Sequence, residues 1–208
     1  MNRTWIGIDI TYQSIGLILR RLEQSFGAEI FNKIIVNGIP KDIESARALA
    51  HKKDDRLRKE FEKWAILTYS DNRAMINEKK GANRGIDGIA FVQESGEDFR
   101  QIIFSVKSGK NVGVTAIREL GHVVQRENAV MGILITLEPP GKVMIQEAKE
   151  AGMYHHPLIS QAFQKLQIVS IEEILHGKRL AVPLVIEVLK RSKARNIDKN
   201  LSFEWSAA

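Results

Sequence analysis

The chain has 208 residues, 44% of them hydrophobic and 27% charged, with 31 Lys and Arg against 25 Asp and Glu and a formal charge of +6. This length buries a sizeable core, and the balance is that of an ordinary folded domain rather than a disordered or fibrous chain. There is no cysteine, which excludes a disulfide framework and a thiolate metal centre. No apolar run approaches the ~18 residues of a bilayer span and Met1 does not lead into a secretory signal, so the expected compartment is cytoplasmic.

From the N-terminus, residues 5–10 (WIGIDI) read as a short buried strand. In the stretch that follows, Ile15, Leu17, Ile18 and Leu22 recur at helical spacing. Residues 30–36 read as a second strand, and Pro40 with Asp42 opens a helix through SARALA, Asp42 being its cap. A long helix follows from the charged stretch 52–63 into Phe61, Trp64, Ala65, Ile66 and Leu67. Beyond it Arg73, Lys79, Lys80 and Arg84 outweigh Glu78, and two strands, GIDGIAF and RQIIFSVK, flank a polar loop around Gly96.

Residues 114–128 are predicted helical, with Val114, Ile117, Leu120, Val123 and Val124 on one side. Residues 130–137 (VMGILITL) are nearly all apolar, as in a strand covered on both faces. A helix over 142–152, a strand over 166–170 and a helix over 171–175 complete the pattern. Past Pro183 the chain turns basic through Lys190, Arg191, Lys193, Arg195 and Lys199. The alternation predicts an α/β sandwich with a mixed sheet. Its expected parts are an extension over 1–50, the main domain over 51–180 and a basic tail over 181–208. The basic patches suit a polyanion and equally a solvated face.

Each strand of the hairpin carries one charge, Asp87 and Lys107. Alternation puts Ile102, Phe104 and Val106 on one face and Ile103, Ser105 and Lys107 on the other. The midpoint of 87 and 107 is residue 97, so a simple hairpin sets Asp87 and Lys107 nearly opposite each other. Such a pair can be a cross-strand ion pair contributing about 0.2–1 kcal/mol. It can also be chemistry: a carboxylate holds a hard divalent cation, and a lysine beside it steers or deprotonates a water.

GANRGIDGIAF and the strand ending SVKSG, after a helix, resemble the PD-(D/E)xK nuclease superfamily and most of all its Mrr-like restriction endonucleases. The likeness runs from about residue 30 to 180, through KNVGVTAIRELGHVVQRENAVMGILITLEPP and AGMYHHP. Over that span the chain is similar to the domain at the C-terminal end of some restriction-associated DNA methyltransferases. The resemblance implies a restriction-endonuclease-like α/β/α sandwich with a central mixed sheet, and DNA phosphodiester hydrolysis dependent on Mg²⁺ or Mn²⁺. It assigns Asp87 to the metal and Lys107 to the attacking water. Glu62 joins from the preceding helix, with Glu60 as its competitor, and the Val106 carbonyl is a further ligand. The family has Glu or Gln two residues before the lysine, where this chain has Ser105, a neutral and shorter group. That departure leaves two readings: a nuclease, or a weakened or inactive DNA-binding module that keeps the fold.

Lys79, Lys80, Arg84, Lys110, Gln125 and Arg126 are the candidate DNA contacts, with a solvated helix face as the alternative for Gln125 and Arg126. His155 and His156 read as a polar loop rather than a metal pair. Residues 5–11, with Ile15, Arg20, Arg21 and Leu22, resemble the second strand and helix of the Rossmann-like fold of the same methyltransferases. Asp9 then stands where an acid binds the ribose of S-adenosylmethionine. Neither the glycine-rich loop that precedes that strand nor an Asn/Asp-Pro-Pro-Tyr motif is present. S-adenosylmethionine binding is therefore not expected, residues 1–50 read as a methyltransferase remnant, and a methyltransferase subunit is the weaker third hypothesis. DNA is the expected partner, then a methyltransferase chain. Symmetric cutting of both strands would call for a homodimer.

Overall fold

The computed structural model describes residues 4–9, 12–77, 84–96 and 98–182. Helix α1 spans Tyr12–Phe26 and is followed by a 3-10 turn over Ala28–Lys33. Helix α2 (Ile43–Ala50) starts where the sequence places its cap. The Asp42 carboxylate accepts from the Ser45 N–H at 2.8 Å, and the Ser45 hydroxyl accepts from the Asp42 N–H at 3.2 Å. Two free N–H groups are thereby satisfied. In α3 (Asp55–Tyr69), Asp54 caps by accepting from the Arg56 N–H at 2.8 Å.

The remaining elements are β1 (Met75–Ile76), β2 (Gly88–Ser95), β3 (Asp98–Lys107), α4 (Val114–Arg126), β4 (Met131–Thr136), α5 (Lys142–Glu150), β5 (Met153–His155), β6 (Ala162–Gln164), β7 (Leu166–Ser170) and α6 (Ile171–Leu175). A five-stranded sheet has the order β1-β2-β3-β4-β7, antiparallel from β1 to β3 and parallel from β3 to β7. This is the expected mixed sheet with helices on both faces. Every residue of β4 is buried, as its apolar run requires.

Alternation divides the core in two. Ala90, Val92, Ile102, Phe104, Val106, Met131, Ile133 and Ile135 face α2, α3 and α6, through Ala46, Ala50, Phe61, Trp64, Ile66 and Ile171. On the other face Ile103, Leu134 and Leu166 meet Ile117, Leu120, Val123 and Val124 of α4 and Met144 and Ala148 of α5. No helix among the described residues is long and apolar enough to cross a membrane.

The two expected N-terminal strands do not form. Residues 4–9 make no strand and leave Trp5 59% and Ile8 92% exposed, while Ile10 lies outside the described residues. The segment read as a strand over 30–36 is the 3-10 turn followed by unpaired chain with Ile35 exposed. An apolar run becomes a strand only when a neighbour takes its N–H and C=O groups, and none of the described strands does so here. Strands β1, β5 and β6 were not anticipated; two or three residues are too few to show a period. The β5–β6 ribbon is tied to β2 by the Tyr154 hydroxyl, which donates to Glu94 at 2.8 Å. Burial, then Glu94 itself, pushes that hydroxyl well above its ordinary pKa. The basic tail past residue 182 lies outside the described residues.

Helix α4 approaches the sheet closely at Gly132, where a Cβ would stand 2.7 Å from Val124 Cγ2 and 2.9 Å from Leu120 Cγ. Gly132→Ala should therefore cost about 1–3 kcal/mol by overpacking. Gly141→Ala, with nothing within 4 Å, is the control. Urea unfolding that shows equal midpoints for the two variants would contradict this packing.

Candidate active site

The hairpin register decides which groups meet. Beside the turn Ser95 pairs with Asp98, but beyond Glu94 the pairing shifts and Gln93 faces Phe99. The shift holds to the end of the hairpin, where Gly88 faces Phe104. The ladder ends at that pair, and the Asp87 N–H donates to the Phe104 carbonyl, so Asp87 meets β3 at Phe104 to Val106 and not directly opposite Lys107. The expected near-opposition of Asp87 and Lys107 is corrected on this point. The register shift at Glu94, the residue held by Tyr154, supplies one residue of that offset.

Asp87 sits just before β2 and is 7% exposed. Its N–H donates to the Phe104 carbonyl at 2.9 Å, and its carboxylate Oδ2 accepts from the Val106 N–H at 2.8 Å. From behind, the Asn77 N–H donates to the Asp87 carbonyl at 2.9 Å, and Asn77 Nδ2 to the Ile86 carbonyl at 2.8 Å. The carboxylate is thus fixed against β3 at the residue preceding Lys107. The two backbone groups of one strand residue point to the same side, so the Val106 carbonyl also turns toward Asp87. The Lys107 carbonyl points the opposite way and accepts from the Leu137 N–H at 3.1 Å. Ser105, 4% exposed, immediately precedes Val106 on the strand.

The acids on α3 occupy different positions. Glu62 precedes by one turn Ile66, whose methyl groups lie 3.1 Å from where a Cβ on Gly88 would stand. It is paired with Lys59 at 2.9 Å. The end of α2 lies against the segment after β3, where His51 Nε2 is 3.1 Å from the carbonyl of Ser108. Glu60 pairs with Lys63 at 3.1 Å and faces Tyr12, whose hydroxyl pKa is raised by burial and then by Glu60. Of the two, Glu62 shares a helix flank with Ile66, while Glu60 faces Tyr12.

Two groups here were not singled out in the sequence. Lys107 Nζ lies 3.9 Å from Glu119 Oε2 on α4. Thr136, paired with Lys107 across the parallel ladder, is 1% exposed, and its Oγ1 has no hydrogen-bond partner among the described residues. A polar residue ending an otherwise apolar strand was the available signal for Thr136. Glu119 had none, because only the docking of α4 brings it to Lys107.

Among the candidate DNA contacts, Lys79 and Lys80 lie outside the described residues. Arg84, Lys110 and Gln125 are exposed. Arg126 donates from Nη2 to the Arg84 carbonyl at 3.0 Å and from Nε to Glu127 at 2.8 Å, bracing the segment that enters the site. Lys110 stands near Glu138, whose carboxyl is held below its usual range chiefly by hydrogen bonds from Arg47. His155 and His156 form no ligand pair. His156 is buried, with Nδ1 accepting from the Leu158 N–H at 3.1 Å and Nε2 therefore donating to the Gln93 carbonyl at 2.8 Å. The expected polar loop is in part strand β5 and in part this latch.

The Asp87 carboxylate and the Val106 carbonyl are hard oxygen donors and fit Mg²⁺ or Mn²⁺. Among the described residues no three or more His, Cys, Asp and Glu gather as a metal cluster. That too is compatible with Mg²⁺, which is commonly held by one or two carboxylates with water and phosphate completing its shell.

No curated protein matches the chain. The Mrr catalytic-domain model, described as a restriction endonuclease, matches residues 57–161, half of the chain, from the first turn of α3 to the edge of β6. That span contains Asp87, Ser105, Val106, Lys107, Glu119 and Thr136, and the chain belongs to the Mrr-type restriction endonuclease family.

Proposed function

We propose that this chain is a divalent-metal-dependent DNA endonuclease module, working with Mg²⁺ or Mn²⁺ in a restriction–modification setting. The observation that carries the reading is the Asp87 carboxylate fixed on the Val106 N–H, one residue from Lys107, at one end of the sheet. A carboxylate that must hold a cation gains from such fixation, because its position is set before the ion arrives. When bound, Mg²⁺ supplies charge that offsets the charge building on the scissile phosphate. Asp87 and the Val106 carbonyl hold the metal, with Glu62 assisting from α3. Lys107 orients the attacking water and takes part in removing its proton. Arg84, Lys110, Gln125, Arg126 and the basic stretch at Lys79 and Lys80 bind phosphates of the duplex, positioning it without reading sequence. Cutting both strands would use a homodimer, and a methyltransferase chain is the natural partner in that setting.

Ser105 favours a second reading. A buried hydroxyl two residues before Lys107 brings no negative charge where the family carries Glu or Gln. A DNA-binding module that has lost cleavage while keeping the fold fits that fact. Cleavage of methylated and unmethylated plasmid under a Mg²⁺ and Mn²⁺ titration separates the two.

Asp87→Asn should keep an acceptor for the Val106 N–H, so stability should change little while cleavage falls by roughly 10²-fold or more. Asp87→Ala should in addition lose about 1–3 kcal/mol, since it leaves a buried N–H unpaired. Cleavage by Asp87→Asn at the wild-type rate, in the same plasmid assay, would end the assignment.

Ser105→Glu puts a second carboxylate beside Asp87. It should lower the metal concentration needed for half-maximal cleavage, and shift a preference for Mn²⁺ toward Mg²⁺. A Ser105→Glu variant that is folded and binds DNA, yet cuts nothing at any metal concentration, would favour the inactive module.

A further inference from the structure

The position two residues before Lys107 lacks an acid, yet an acid reaches that lysine from elsewhere. Three residues of α4 separated by helical steps, Glu119, Val123 and Arg126, lie along one flank of the helix. Arg126 Nη2 is 3.0 Å from the Arg84 carbonyl. Val123 Cγ2 is 3.3 Å from the point where a Cβ on Gly85 would stand. Glu119 Oε2 is 3.9 Å from Lys107 Nζ. The flank therefore follows the chain segment that leads from Arg84 to Asp87, and Glu119 stands where that segment meets the end of β3.

The same end of the sheet carries an independent sign of a missing occupant. Thr136, in register with Lys107, presents a hydroxyl that is 1% exposed at the residue level and unpartnered among the described residues. Buried hydroxyls nearly always have a partner in the working molecule, whether protein, water or bound ligand. Alternation places Thr136 on the face of Leu134, which packs with α4, so its hydroxyl lies on the Glu119 side of the sheet.

We propose that Glu119 is the second carboxylate of the cation site, supplied by α4 in place of the acid absent at Ser105. The proposal rests on the endonuclease reading above and names a ligand for the same metal. Glu119 is free to serve. Its side chain is 62% exposed, and at 3.9 Å its pairing with Lys107 is at the loose limit of an ion pair, the kind that contributes little to stability. When Glu119 turns to the cation, Lys107 is released toward the water. The Thr136 hydroxyl then lies beside the lysine as a partner for a cation-bound water or phosphate oxygen.

Mn²⁺ binding measured by calorimetry on the full chain, without DNA, tests this apart from cleavage. Glu119→Gln should weaken Mn²⁺ binding by roughly tenfold or more, with an unchanged unfolding midpoint in metal-free buffer. Glu150→Gln, which removes an exposed acid on α5, controls for general charge and should bind as the wild type does. Adding Ser105→Glu to Glu119→Gln should recover the lost affinity. Wild-type affinity in Glu119→Gln, combined with loss of binding in Asp87→Asn, would overturn the proposal and leave the endonuclease reading standing. A folded wild-type chain that binds DNA and takes up no Mn²⁺ at millimolar concentration would overturn the endonuclease reading, and this proposal with it.

Discussion

A single hydrogen bond, from the Val106 N–H to the Asp87 carboxylate at 2.8 Å, organises the end of the sheet. Strand β2 has not yet begun at Asp87, so this edge of β3 has no ladder partner beyond Phe104. The carboxylate takes the place of the next strand carbonyl, and by doing so it is held beside Lys107. In the proposed mechanism, folding and chemistry make use of the same group. In water an exposed aspartate would sample many rotamers; here burial and the bonds from Asn77 to the neighbouring backbone leave it one position.

The rest of the architecture keeps that position fixed. Strand β4, buried along its whole length, forms parallel ladders with β3 and β7 and sets the height at which β3 ends. Gly132 lets α4 sit close enough to bring its flank along the Arg84–Asp87 segment. On the opposite face Ile66 of α3 packs against Gly88, which fixes the start of β2 from below. The site thus lies between helices on opposite faces of the sheet, with Glu119 of α4 reaching Lys107 and Glu62 of α3 as the proposed assisting acid.

Much of this was legible in the sequence because it follows from local rules. The period of β3, the continuous apolar run of β4 and the Asp42 cap of α2 each depend on residues close together in the chain. The register was not legible. The irregularity at Glu94 sits where Tyr154, 60 residues away, holds the chain, and it helped to move Asp87 out of direct opposition to Lys107. The N-terminal runs failed as strands for a related reason: WIGIDI carries the right side chains, but pairing is a tertiary event. Glu119 was hidden for the same cause, since a charged residue on an exposed helix flank looks like any other until the helix is docked.

The central claim is that a divalent cation binds where Asp87 meets Val106 and Lys107. Paramagnetic broadening of backbone amide resonances by sub-stoichiometric Mn²⁺ tests it most directly, because it locates the ion without relying on cleavage. The account predicts that Asp87, Val106 and Lys107 broaden first, with Glu119 among the next, and that Mg²⁺ reverses the effect. Broadening centred on another region, such as the His155–His156 segment, or no broadening at any folded amide, would contradict it.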